Sequence, residues 1–173
     1  MVGLRFSDLM NLKKIDVEVR DENTYLNIVS IKTGVHSIIK LPIQAIDILN
    51  KIKINGKYLL PRVSLFCFNR NLKKLGELAG WTHVVGKCRQ RRGKDINCKT
   101  SKNSEYRFCD HLSSHAMRRT AITLLLTMGV PELLVRKFSG HSTNSKSFNR
   151  YVNLAQSYMD KETDSAFEKL FQI

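Results

Sequence analysis

The stretch SSHAMRRTAITLLLTMGVPELLVRKFSGHS, residues 113–142, spells out two helices and the breaks around them. Ser113 or Ser114 can cap the first helix, because a serine oxygen accepts from the unpaired N–H groups of an opening turn. Ala116, Met117, Ala121, Ile122, Leu124, Leu125 and Met128 then recur at helical spacing, and Gly129 stops the run. Pro131 suits a first helical turn and opens a second helix to about Phe138, which Ser139-Gly140-His141 breaks. The pair predicts a helical centre for the domain. Within it His115 and Arg118 lie three apart, so they share one face at the helix start, where free backbone N–H groups favour an anion.

Working outward, Ser7 followed by Asp8-Leu9-Met10-Asn11-Leu12 predicts a capped short helix, with Arg5 on the segment leading into it. Thr24 to Ile31 and His36 to Leu41 are rich in Ile, Val and Leu. Lys32-Thr33-Gly34 between them supplies a turn, which predicts a hairpin with Lys32 at the end of its first strand. Pro42 opens a helix with Ile43, Ile46, Ile48, Leu49 and Ile52 as its apolar face. After a loop at Asn55-Gly56, residues Leu65, Phe68, Leu72, Leu75, Leu78 and Ala79 predict a core helix ended by Gly80. Alternation at Trp81 to Val85 and at Tyr106 to Leu112 predicts an extended excursion or hairpin with a basic tip. A polar stretch leads to Tyr151, and Ala155 to Phe171 reads as a last amphipathic helix. The fold class expected is α+β, mainly helical with a small antiparallel sheet at one edge, in a single domain over residues 1–173.

Charge narrows the partner class. The chain has 173 residues, 29 Lys and Arg against 15 Asp and Glu, and a net charge of +14. Such a field attracts polyanions, of which nucleic acid is the commonest inside cells. The segment from Lys87 to Arg107 alone carries a net +6. With 42% hydrophobic residues, 9 Gly and 3 Pro, the composition excludes collagen-like and low-complexity classes. No apolar run reaches the roughly 18 residues of a membrane span, and Met1-Val2-Gly3-Leu4-Arg5 lacks the pattern of a signal peptide, so a soluble cytoplasmic protein is expected. Cys67, Cys88, Cys98 and Cys109 have no C-x-x-C spacing. They read as reduced thiols, in preference to disulfides or to a zinc set with Asp110 and His111.

Five features occur in order: Gly3-Leu4-Arg5 before a helix, Ile31-Lys32-Thr33-Gly34 in a hairpin, His115-Ala116-Met117-Arg118-Arg119-Thr120, Gly140-His141-Ser142, and Tyr151. Together they resemble the catalytic domain of the tyrosine recombinase (phage integrase) family, over essentially the whole chain. Ser113-Ser114-His115 and Ser147-Phe148-Asn149-Arg150-Tyr151 further resemble the recombinases of Bacteroides-type mobile elements.

The resemblance implies a site-specific recombinase or integrase in which Tyr151 attacks a DNA phosphodiester and leaves a 3′-phosphotyrosyl bond, with no metal, nucleotide or other cofactor. Arg5 and Arg118 would clamp the non-bridging oxygens, which two permanently charged guanidinium groups suit. A free phenol ionises near pH ~10, so a nucleophilic tyrosine needs a base, here His115. Lys32 would be the general acid for the departing 5′-oxygen, and His141 would donate a hydrogen bond to the phosphate. Apart from the resemblance, the clustered charge makes Arg89, Arg91, Arg92 and Lys94 DNA-binding candidates, and Arg119, about 100° around the helix from Arg118, would contact the DNA backbone or form a structural ion pair. The partners implied are double-stranded DNA, further protomers up to a tetramer, and accessory DNA-bending proteins, in a bacterial cytoplasm and on the nucleoid.

Departures from the family pattern accompany these matches. Tyr151 follows His141 by ten positions, one more than is common, though Tyr158 lies further still, at 17. The family also places helices before the first arginine and a DNA-clamping domain before those, so the chain reads as the C-terminal piece of a longer protein. Residues 152–173 would form a helix docking on a neighbouring protomer or on their own domain. Two other readings remain open at the level of sequence: a type IB topoisomerase or telomere resolvase with the same chemistry, and an inactive DNA-binding module.

Overall fold

Two compact units make up the chain: Met1–Arg62 with Arg118–Ile173, and Val63–Met117. The computed structural model describes residues 3–53, 55–100 and 105–171.

The first unit opens with helix α1 (Phe6–Met10). Ser7 is not its cap; Arg5 holds the N-cap position in extended conformation, and no side chain caps the turn. Tertiary contacts place the helix instead. Asp8 is 3% exposed, and its carboxylate accepts from the Ser30 hydroxyl and the Ile31 N–H, each at 3.0 Å. Strands β1 (Val17–Arg20), β2 (Asn23–Val29) and β3 (His36–Lys40) form one antiparallel sheet in that order. The β2–β3 hairpin matches the sequence expectation, whereas β1 was not foreseen. Its link to β2, Asp21-Glu22, has φ of +44° and +62°, the left-handed pair that a two-residue hairpin loop needs. No glycine announces it.

Alternation along β2 turns Leu26 and Ile28 to one face. Ile39 of β3 pairs with Leu26 across the strands, and Leu12 and Leu41 complete the buried cluster. Each fully buried side chain of this kind contributes roughly 1.5 to 3 kcal/mol relative to exposure. Ala45, Ile46 and Leu49 of α2 (Ile43–Lys51) pack against it, as does Phe138. Ile43 and Ile48 do not, because they lie about 110° around the helix from the centre of that face; both are exposed. Pro42 is the N-cap of α2, one position earlier than expected.

In the second unit, α3 (Leu65–Leu78) is capped by Ser64, whose hydroxyl accepts from the Cys67 N–H at 3.2 Å. The expectation that its leucines form core is not met: Leu75 is 61% and Leu78 86% exposed. The 3-10 turn Phe108–His111 approaches α3 on the side of Gly76 instead. There a Cβ would stand 2.5 Å from Leu112 Cδ1 and 3.1 Å from Cys109 Cβ, so a larger residue would force these side chains to shift. The basic excursion is a hairpin, β4 (Lys87–Arg91) and β5 (Lys94–Cys98), turned by Arg92-Gly93 with φ of +51° and +75°. Its flanks pair as the alternation suggested, with Val85 N–H donating to Tyr106 O at 2.8 Å and Phe108 N–H to His83 O at 2.9 Å. Lys102 of the basic segment lies outside the described residues.

Helix α4 (Ser114–Thr127) is capped by Ser113, which accepts from the Ala116 N–H at 3.1 Å. The first unit resumes at Arg118 and continues through α5 (Glu132–Phe138) and α6 (Asn149–Phe171). Ile122, Val135 and Phe148 are fully buried there with Tyr151. Leu124 and Met128, expected on the apolar face of α4, are exposed, since the buried face centres on Ala121 and Ile122. Helix α6 begins six residues before the expected Ala155, so Tyr151 sits in its first turn and not in a polar loop. Among the described residues no helix is long and apolar enough to cross a membrane.

Candidate active site

The break after α5 becomes the meeting point of the first unit. Gly140 has φ +63°, and a Cβ there would lie 3.1 Å from the Ser30 Cβ and 3.3 Å from Arg5 Nη1. The conformation favours glycine, and any Cβ would also press on Ser30 and Arg5. Its carbonyl accepts from Arg5 Nη1 at 2.9 Å and from the Thr33 hydroxyl at 2.8 Å. Arg5 Nη1 also donates to the Ser30 hydroxyl at 2.9 Å and stands 3.9 Å from the Asp8 carboxylate. One residue earlier, the Ser139 carbonyl accepts from Arg118 Nη2 at 2.7 Å, while Arg118 Nη1 donates to Gly3 O at 2.6 Å. Two successive carbonyls thus hold two arginines that are 113 positions apart in the chain.

His141 closes the arrangement. Arg118 Nη2 lies 3.2 Å from both of its ring nitrogens. The Ser139 hydroxyl donates to Val135 O at 2.6 Å, so at 2.7 Å from Nδ1 it accepts the Nδ1–H, and the lone pair of the neutral ring is on Nε2. Burial first, and then the charges of Arg118, Arg5 and Arg136, push the His141 pKa down to about 4, so the ring is neutral at pH 7. Burial, followed by the Arg5 charge, lowers Arg118 to about 10, with Tyr151 and Asp8 acting the other way. Like charges forced together in a half-dry corner are relieved by an oxyanion that touches both. Among the described residues Arg5 bonds through Nη1 alone, which leaves Nε and Nη2 for such a ligand.

Tyr151 lies beside this corner. Its ring centroid is 5.9 Å from His141 and 5.7 Å from Phe148, both in edge contact. The structure therefore gathers Arg5, Arg118, His141 and Tyr151. Lys32 is exposed on the β2–β3 turn, whose backbone is moored nearby through Thr33. His115 is exposed, belongs to the second unit and precedes Arg118 by one turn of α4. Arg119 is exposed on α4, and Arg89, Arg91, Arg92 and Lys94 are exposed on the hairpin of the second unit.

Several residues of the corner escape a reading of the sequence. Asp8, Ser30 and Ser139 are small polar residues whose importance comes from burial, each under 5% exposed. Arg136, four after Glu132, has the spacing of a surface ion pair but is buried. All four cysteines are free thiols, and among the described residues no group of three or more His, Cys, Asp or Glu is placed to hold a metal ion.

The chain matches the phage integrase family over residues 1–157, and no curated protein matches it. Among solved structures it is similar to the XerH site-specific recombinase bound to difH substrate in a pre-cleavage complex. The identity there is 15% and the TM-score 0.55, over 87% of this chain and 38% of that one. For XerH bound to palindromic difH substrate in a post-cleavage complex the values are 16% and 0.58, over 96% and 43%. The XerA recombinase gives 18% and 0.56, over 94% and 52%. The chain thus spans about half or less of the length of these proteins, and at such identities the likeness is one of fold. With the family match covering residues 1–157, the chain belongs to the phage integrase family.

Proposed function

We propose that this chain is the catalytic domain of a site-specific DNA recombinase that cuts and rejoins strands through a 3′-phosphotyrosine, without metal or nucleotide. The observation that carries the reading is the pair of arginines bound to the successive carbonyls of Ser139 and Gly140, with Tyr151 beside them. Family membership and a fold shared with recombinases solved on DNA support it. Arg5 and Arg118 bind the non-bridging oxygens of the scissile phosphate. The Tyr151 oxygen attacks phosphorus and gives its proton to His115, while the 5′-oxygen leaves with a proton from Lys32. Rejoining reverses these steps with the 5′-hydroxyl of another strand, so the phosphodiester is conserved and no energy source is required.

His141 fits this scheme with one condition. In the neutral ring Nδ1 carries the proton and Nε2 the lone pair, so donation from Nε2 to a phosphate requires a proton there, and the negative charge of DNA supplies the field that favours it. The hairpin cations Arg89, Arg91, Arg92 and Lys94, with Arg119, hold the DNA backbone. Exposed Leu154 and Tyr158, four apart on α6, support docking of that helix on a neighbouring protomer of a tetramer.

The test is trapping of a covalent protein–DNA adduct on a library of nicked random-sequence duplexes. Wild type is expected to form an adduct that survives denaturation, and Tyr151→Phe to form none while binding DNA equally well. If both bind alike and neither becomes attached, the chain is a DNA-binding module and the catalytic reading fails.

A further inference from the structure

Arg136 has more partners than a helical ion pair accounts for. Its Nε donates to Glu132 at 2.7 Å, and Glu132 is itself 46% exposed. The other end of the guanidinium reaches away from α5. Nη1 donates to the carbonyls of Ser142 and Ser145, each at 3.3 Å, and Nη2 donates to Asn149 Oδ1 at 2.9 Å. The guanidinium carbon lies 4.3 Å from the centre of the Phe148 ring, in the range of a cation–π contact. Four of its five N–H groups are thereby fixed on a side chain only 10% exposed.

These partners have a common feature: Ser142, Ser145, Phe148 and Asn149 all lie on the connection from His141 to Tyr151. Both ends of that connection depend on the same residue. The Arg136 carbonyl accepts the His141 N–H at 2.9 Å. Phe148, which the guanidinium covers, contacts the His141 ring at 5.1 Å and the Tyr151 ring at 5.7 Å, and its carbonyl accepts the Tyr151 N–H at 2.8 Å. The segment has turns of its own, Ser145 N–H to Ser142 O and Phe148 N–H to Ser145 O. The turns are of one hydrogen bond each, and Phe148, fully buried with Ile122 and Val135, anchors the segment at one point; the buried planar fork touching four of its residues holds the rest of its path.

We infer that Arg136 is a positioning residue: its guanidinium clamps the path from His141 to Tyr151 and so sets where the tyrosine oxygen stands relative to Arg5, Arg118 and His141. The inference rests on the reading above only in taking Tyr151 as the nucleophile. Lysine could hold one or two of the partners as a point charge but could not span Ser142, Ser145 and Asn149 together.

Hydrogen exchange on the full chain tests the clamp, and adduct formation tests its purpose. In Arg136→Gln the amides of Ser145, Phe148, Tyr151 and Val152 are expected to exchange about tenfold faster or more, with the β2–β3 amides unchanged. Adduct formation on the nicked duplexes should slow by about tenfold or more while DNA affinity stays within about twofold, and Arg136→Lys should fall between. Glu132→Gln, which removes only the exposed partner, should leave both readouts near wild type. Unchanged exchange in residues 142–152, faster exchange throughout the sheet, an unchanged adduct rate, or an equal effect of Glu132→Gln would each overturn the inference. If wild type forms no adduct at all, the recombinase reading fails, and the exchange arm still decides whether Arg136 holds the segment.

Discussion

Two regions of this molecule are rich in positive charge, and they are built in opposite ways. The β4–β5 hairpin belongs to a segment with a net +6, and its arginines and lysines are exposed on a short ribbon. The corner at Ser139-Gly140-His141 has three arginines, Arg5, Arg118 and Arg136, of which two are under 10% exposed, and every one is bound to backbone carbonyls. Charge in the hairpin is abundant and loosely held, which suits attraction to a polyanion at long range. Charge in the corner is scarce and fixed, which suits a single oxyanion at a defined place. Number of charges and precision of placement are separate properties, and this chain assigns them to separate units.

Substitutions in the two regions should therefore differ in kind. The largest effect is expected from Arg118→Lys, since an ammonium cannot meet Gly3 O, Ser139 O and His141 at once. The rate of adduct formation should fall by about 10²- to 10³-fold at nearly constant DNA affinity; a fall in affinity alone would make the corner a second electrostatic patch and erase the contrast.

A pH effect comes next. The His141 pKa of about 4 lies below its ordinary value of 6.5, so below pH 6.5 the unfolded chain takes up a proton that the folded corner refuses. The stability linked to His141 is complete above pH 6.5 and is lost as the pH falls toward 4, by about 2 to 3 kcal/mol. Urea unfolding at pH 7 and at pH 4.5 should show a larger drop for wild type than for His141→Gln.

The smallest effect belongs to the hairpin. Arg89→Gln should leave stability within about 0.5 kcal/mol and lower the slope of log affinity against log salt by about 0.9 if Arg89 contacts one phosphate. Stability that fell as steeply as in the corner would show that the hairpin, too, is a packed site.

Much of the fold is legible in the sequence because its signals are local. Gly129 and Pro131 mark the α4–α5 break, Lys32-Thr33-Gly34 marks the β2–β3 turn, and Ser113 caps α4 as a serine in that place should. The misses have physical causes as well. Strand β1 is joined to β2 by two residues with positive φ and no glycine, so its turn is marked only by Asp21 and Asn23 and lacks the stronger glycine signal. Leu75 and Leu78 have helical spacing, but spacing specifies a face and not what covers it. Ser7 has the chemistry of a cap, yet the buried bonds of Asp8 to Ser30 and Ile31 decide where α1 begins.

By itself the sequence determined which residue types stand in which order: the arginines, the histidines, the lysine on a turn, the tyrosine, the basic segment and the helical and extended stretches that bear them. Only the tertiary structure decided which of these share a site, because the groups that gather them are main-chain carbonyls, and a carbonyl has no identity in a sequence. Gly3, Ser139 and Gly140 hold Arg5 and Arg118 through atoms that every residue possesses. Burial then made the difference between Arg136 as a surface ion pair and Arg136 as a clamp, and between a titrating His141 and a neutral one, since both depend on water being absent from one corner of the fold.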